Sequence, residues 1–230
     1  MSPLLPRSSI AKKLVNGATG LGLFLFVLIH LIENLLLLAP DPLLFNSWAH
    51  FLQKLGPLLI VIELGLLAFF LAHVYSAVMV TFDNLRARPT GYRVNAFAGN
   101  PSRKTGSSQT MIVSGLVLLG FVVWHVWTFR FGPGVESGYV VQIDGEMARD
   151  LHRLVAEFFS DLWNVTIYVA VMVFLGFHLR HGFWSMFQTL GAFHPRYTPL
   201  FFSIGIVVAV LFAVGFIVIP IWMYTTGGVA

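Results

Sequence analysis

The chain has 230 residues, 57% of them hydrophobic and only 10% charged, with a formal net charge of +4 and a mean hydropathy of +0.81. That balance excludes an ordinary soluble domain and points to a protein whose solvent is lipid. The chain has no cysteine, which excludes protein-held iron–sulfur clusters, thiol catalysis and covalent haem attachment through Cys-x-x-Cys-His.

Five apolar stretches are long enough to cross about 30 Å of hydrocarbon at ~1.5 Å per residue. The first, residues 11–38, lacks the small-residue cleavage pattern of a signal peptide and is predicted to be retained as a span. It carries Asn16, His30 and Glu33. After Pro40-Asp41-Pro42, the residues Trp48, Phe51, Leu52 and Leu55 recur at helical spacing, with His50 among them. They predict a short amphipathic helix over 45–55 lying in the interface. The second span, 57–82, holds Glu63 and His73. A connection over 83–108, rich in Gly, Pro, Asn and Ser, carries Arg86, Arg88, Arg93, Arg103 and Lys104.

The third span, 110–131, sets His125 between Trp124 and Trp127 and carries Arg130 near its end. Over 145–159, Met147, Leu151, Leu154 and Phe158 fall at helical spacing amid Arg149, Asp150, His152 and Arg153, which predicts a second amphipathic helix. The fourth span, 161–188, holds His178, Arg180, His181 and Ser185; the fifth, 199–224, has no charged residue and is predicted only to pack. The fold class expected is therefore an all-α membrane protein, a single domain over 1–230, with the first four spans forming a bundle. No Gly-x-Gly-x-x-Gly opens a βα unit and no Walker pattern occurs, so electrons from a soluble substrate require another subunit to deliver them.

Charge sets the expected orientation. Arg7, Lys12, Lys13, Arg86, Arg88, Arg93, Arg103, Lys104, Arg180 and Arg196, ten of the fourteen Lys and Arg, fall on the side of the N-terminus. By the positive-inside rule that side is the cytoplasm, and the membrane is the inner membrane of a prokaryote. The basic connection over 83–108 is expected to dock a soluble partner, with no nucleic acid involved.

An ionisable residue inside a span is costly and usually faces the bundle interior with a partner. His30, His73, His125 and His178 lie one in each of the first four spans. Counted from span midpoints, His30 and His125 stand roughly 8 Å toward the outer side, and His73 and His178 roughly 5 Å toward the cytoplasm. The first and third helices thus offer a level outer pair, the second and fourth a level inner pair. The alternative pairings would separate partners by about 13 Å in depth. Two histidines facing across a bundle are what a haem iron needs as axial ligands, so two stacked b haems are expected.

Other residues are expected to support that cofactor. Arg130 and Arg180 suit haem propionates through their forked donors, and Asn16 and Ser185 are further expected cofactor contacts. Gly17, Gly20, Gly22, Gly115, Gly120, Gly176 and Gly182 leave room for a macrocycle or bring helices close. His181 competes with His178 but approaches the charged end of its helix. Glu33, Glu63 and His50 are expected to form an outer pocket for a quinone, most naturally menaquinone, supplying donors and proton relays.

The runs Phe177-His178-Leu179-Arg180-His181-Gly182-Phe183-Trp184-Ser185, Val123-Trp124-His125-Val126-Trp127 and Phe45-Asn46-Ser47-Trp48-Ala49-His50-Phe51 bear a family likeness. Together they resemble the cytochrome b558-type membrane anchor of succinate:quinone oxidoreductases, a resemblance that covers essentially the whole chain. It implies five helices and two b haems, the distal one on His30 and His125 and the proximal one on His73 and His178. It also implies a flavoprotein carrying FAD and an iron–sulfur subunit on the cytoplasmic face, with electrons passing inner haem to outer haem to quinone. One position departs from some dihaem fumarate reductases, which have a glutamate two residues before the proximal ligand; here it is Gly176. That removes the basis for their proton path and favours succinate oxidation. Two other classes compete: a proton or ion transporter, which would show inverted repeats, and the cytochrome b subunit of a hydrogenase or formate dehydrogenase, which distributes its ligands differently over the helices.

Overall fold

A computed structural model describes residues 8–87, 110–192, 194 and 196–228. The elements are α1 (Ser9–Asn34), which tightens into a 3-10 turn (Leu35–Leu38); α2 (Leu43–Lys54); α3 (Pro57–Arg86); α4 (Met111–Phe129); a hairpin of β1 (Val140–Ile143) and β2 (Glu146–Arg149); α5 (Leu151–Phe159); α6 (Leu162–Thr189); and α7 (Thr198–Thr226). Five of them, α1 with its 3-10 turn, α3, α4, α6 and α7, are long and apolar enough to cross a membrane. The protein is an all-α membrane protein whose only sheet among the described residues is the two-stranded hairpin.

Helix ends follow local chemistry. Ser8 caps α1 by accepting from the Ala11 amide at 3.1 Å, and Asp161 caps α6 by accepting from that of Trp163 at 3.0 Å. Gly56 turns with φ 55° and hands over to Pro57 at the first position of α3, where a missing N–H costs nothing. The spans are apolar on nearly every side, and large side chains such as Ile32, Leu64, Val123 and Val210 face outward at more than half exposure. A soluble helix would bury that stripe; here lipid is its solvent.

α1, α3, α4 and α6 close a four-helix ring in which α1 packs on α3 and α6, and α4 packs on α6 and touches α3. α7 lies outside the ring against α6. Small residues let these helices approach. A Cβ on Gly17 would stand 3.3 Å from Thr189 of α6, one on Gly22 3.0 Å from Phe69 of α3, and one on Gly176 3.1 Å from Ala213 of α7. At one end of the bundle Lys12 of α1 meets Asp83 of α3 at 2.7 Å.

The packed core sits toward the opposite end, where Leu37, Phe45, Phe159, Tyr168, Ile219 and Met223 cluster beneath α2 and α5. Asn46, only 1% exposed, joins those two short helices. Its amide donates to Asp150 Oδ1 at 2.9 Å and its carbonyl accepts from the His152 amide at 2.9 Å. Glu146 of the hairpin accepts from His50 at 3.1 Å and pairs with Lys54 at 3.0 Å. Lys54 and then His50 hold its carboxyl below the usual range.

The helix expected over 145–159 is shorter than its pattern. Met147 lies in β2, 72% exposed, and helix begins only at Leu151. Ile143 pairs with Glu146 across a two-residue turn in which Asp144 and Gly145 have φ 50° and 83°. Asp-Gly is a strong hairpin signal because both turn residues must adopt the left-handed region. Asp150 then starts α5 by accepting from the Arg153 amide at 3.0 Å.

Candidate functional site

The four span histidines meet as two pairs inside the ring. His30 of α1 faces His125 of α4 with ring centres 5.8 Å apart and planes at 89°. His73 of α3 faces His178 of α6 at 6.5 Å and 70°. Thr19 lies beside His73 on the neighbouring helix and eleven residues before His30 on its own. The two pairs are therefore separated by about 16 Å along the bundle, somewhat more than the 13 Å counted from span midpoints. His178, and not His181, makes the ring contact with His73.

Among the described residues no group of three or more His, Asp or Glu converges as a protein-only metal site would require. A pair of imidazoles suits a metal whose remaining ligands come from a macrocycle. A metal bound between two imidazoles, about 2 Å from each nitrogen, holds the ring centres about 6 Å apart, and both pairs stand near that separation. The surroundings fit as well. Gly20 and Gly115 border the inner pair: a Cβ on the first would lie 3.4 Å from His73 Cε1, and on the second 3.6 Å from His178 Cε1. A Cβ on Gly120 or Gly182 would meet no heavy atom within 4 Å. Of the seven glycines expected to leave room or bring helices close, Gly120 and Gly182 face open space, Gly20 and Gly115 lie against the inner histidines, and Gly17, Gly22 and Gly176 serve helix contact.

Each ring has a polar neighbour. Thr19 Oγ1 stands 3.4 Å from His73 Nδ1, and the main-chain carbonyl of Asn16 also accepts from that ring. Ser114 Oγ is 3.1 Å from His178 Nδ1, and Tyr168 Oη is 3.1 Å from His125 Nδ1. Asn34 lies over His30, with its amide nitrogen 3.3 and 3.4 Å from the two ring nitrogens and donating to the His30 carbonyl at 2.7 Å. None of the three hydroxyls stands out in the sequence. Thr19 precedes His30 by eleven residues, and Ser114 precedes His125 by eleven. That is three helical turns, so hydroxyl and histidine share one face of each helix.

The other expected site residues divide by partner. Arg180 has a buried Nε with no hydrogen-bond partner, and its guanidinium lies 5.7 Å from the centre of the Phe202 ring. Asn16 Oδ1 accepts at 3.1 Å from the Oγ of Ser76, three residues after His73. Ser185 stands two turns beyond His178, half-buried. Arg130 and Glu63 are joined to each other, Nε to Oε1 at 2.8 Å and Nη2 to Oε2 at 3.2 Å, tying α4 to α3. Glu33 lies 3.9 Å from His30 Nδ1 and accepts from Trp48 of α2. His50 bonds to Glu146 through Nε2, while its Nδ1 is buried without a partner. Glu33, Glu63 and His50 thus each have separate partners rather than one shared contact. Arg7, Arg88, Arg93, Arg103 and Lys104 lie outside the described residues.

Compared with family models, with curated proteins and with solved structures, the chain finds no match.

Proposed function

We propose that this chain is the dihaem cytochrome b subunit that anchors a succinate dehydrogenase in a prokaryotic cytoplasmic membrane and passes electrons to a quinone. The observation that carries the reading is the double pairing: four intramembrane histidines, one per helix, meet as two facing pairs at two levels. The three sequence runs resembling the cytochrome b558-type anchors add the choice of complex. A b haem at each pair would supply a one-electron carrier, and the chain itself does no succinate chemistry.

The residues divide that work. His73 and His178 hold the inner position and His30 and His125 the outer one, with Thr19, Ser114 and Tyr168 beside Nδ1 of His73, His178 and His125 respectively. Arg180 supplies the cation for a propionate at the inner level, its buried Nε otherwise lacking an acceptor. Glu33, beside His30 and under Trp48, and His50, with its free Nδ1, are the groups suited to move protons and bind a quinone carbonyl at the outer end. A cytoplasmic N-terminus puts Arg86, Arg196 and the basic connection toward an iron–sulfur subunit, which in turn carries an FAD flavoprotein.

Purification from native membranes tests this. The account expects two extractable b haems per chain and two co-purifying subunits, one with FAD and one with iron–sulfur clusters. His73→Ala or His178→Ala should remove the inner haem, His30→Ala or His125→Ala the outer. A haem-free chain, a nickel enzyme as partner, or loss of a haem in His181→Ala but not His178→Ala would each overturn the corresponding part.

A further inference from the structure

The polar neighbours of the histidines form a pattern across the ring. α1 gives His30 to the outer pair and Thr19 to His73 of α3; α4 gives His125 to the outer pair and Ser114 to His178 of α6; α6 gives His178 to the inner pair and Tyr168 to His125 of α4. Each of these three helices thus presents a ligand at one level and, ten or eleven residues away, a hydroxyl that holds the ligand of an adjacent helix at the other. A hydroxyl in a span usually does no more than bond back to its own helix. Thr19 does donate to the Val15 carbonyl, at 2.7 Å, and Ser114 to that of Met111, at 3.1 Å. With its one proton so committed, each oxygen has only lone pairs to offer the histidine, so the ring must donate from Nδ1. Nε2 is then left unprotonated and able to bind a metal.

Resting on the haem reading above, we propose that Thr19 and Ser114 are positioning residues that set the ring tautomers of His73 and His178 and, through them, the reduction potential of the haem these two histidines hold. Tyr168, 6% exposed and enclosed by Phe121, Trp124, Phe129, Phe158 and Phe159, has no acceptor other than His125 among the described residues, so its hydroxyl can donate as well as accept and does not fix that ring's tautomer. Accepting a proton from Nδ1 makes an imidazole a stronger donor to the metal and favours the oxidised state. Removing the acceptor therefore raises the potential. His30 lacks this device: Asn34 lies over its ring as a donor, and Glu33 at 3.9 Å is beyond hydrogen-bond reach.

The test is potentiometry, followed by optical spectra, of the haem-loaded protein and its variants. Tyr168→Phe, which keeps the ring packing beside His125, should leave the potential of the inner haem unchanged. Ser114→Ala should raise the potential of the inner haem only, and Thr19→Val should do so to a smaller extent because the Asn16 carbonyl still accepts from His73. The expected change is on the order of tenfold in the reduction equilibrium, about 59 mV for a one-electron couple. Thr19→Ser and Ser114→Thr, which retain the hydroxyl, should restore the wild-type value. Haem lost at the altered level alone, and kept in the hydroxyl-retaining variant, supports the same assignment. Full haem content with no potential shift overturns it, as does an equal effect at both levels or the same defect with and without the hydroxyl. A wild-type chain that binds no haem fails the functional reading instead, a separate outcome.

Discussion

Arg180 and Arg130 show how much a single arginine's surroundings decide. Leaving a buried donor unpaired costs about 1–3 kcal/mol, and more for a charged group, so the buried Nε of Arg180 requires an acceptor. Arg180→Gln should weaken haem retention at the inner level by on the order of tenfold, the usual effect of losing an outer-shell contact. Arg180→Lys should recover only part of it, lacking the fork. Arg130 is 53% exposed and already bonded to Glu63, so Arg130→Gln should leave both haems bound and cost no more than about 1 kcal/mol in thermal unfolding. Haem content per chain, measured side by side in the three variants, checks both statements. At this scale the facing histidines were legible because an ionisable side chain inside a span is costly and turns to a partner in the bundle interior. The hydroxyls behind them were not, since Ser, Thr and Tyr occur throughout spans and their cross-helix partners depend on helix rotation. The Arg130–Glu63 pair was equally hidden, because it joins residues 67 apart in sequence.

The short elements at one end act as a cap on the bundle, and their joints are polar. Asn46→Ala would leave the buried His152 amide without its acceptor, while Asp150 Oδ1 would keep the Arg153 amide as donor. Calorimetry or a thermofluor scan should show a loss of about 1–3 kcal/mol for that orphaned group. His152, 6% exposed, is held below its usual range by burial, only partly opposed by Asp150. The folded cap therefore rejects a proton that the unfolded chain takes up near the ordinary value of 6.5. Its stabilisation is complete above pH 6.5 and declines as pH falls below it, toward the depressed folded value. Protection factors of the α2 and α5 amides, corrected for the intrinsic exchange rate, should fall on acidification in the wild type and fall less in His152→Asn. The short helix over 45–55 was readable from its apolar rhythm. The second one was over-read because Met147 happens to continue the rhythm of Leu151, Leu154 and Phe158. Asp144-Gly145 was the local signal that outweighed it, by demanding two left-handed residues in succession.

At the scale of the whole molecule, the sequence pattern makes the five spans plain, because length and apolarity are enough to define a membrane helix. Which helices enclose the site followed only from depth: two histidines must be level to face each other, and that condition selects α1 with α4 and α3 with α6. α7 carries no such residue and stays outside the ring against α6. The result is two imidazole pairs about 16 Å apart along the bundle, roughly half of the ~30 Å hydrocarbon thickness. The most direct measurement of this arrangement is low-temperature electron paramagnetic resonance of the oxidised, purified protein. Ring planes at 89° and 70° would leave the iron's two π-type d orbitals nearly equal in energy. The account predicts two distinct low-spin ferric signals, both of the large-anisotropy type that such crossed imidazoles produce. A single signal, a high-spin signal, or none would contradict it.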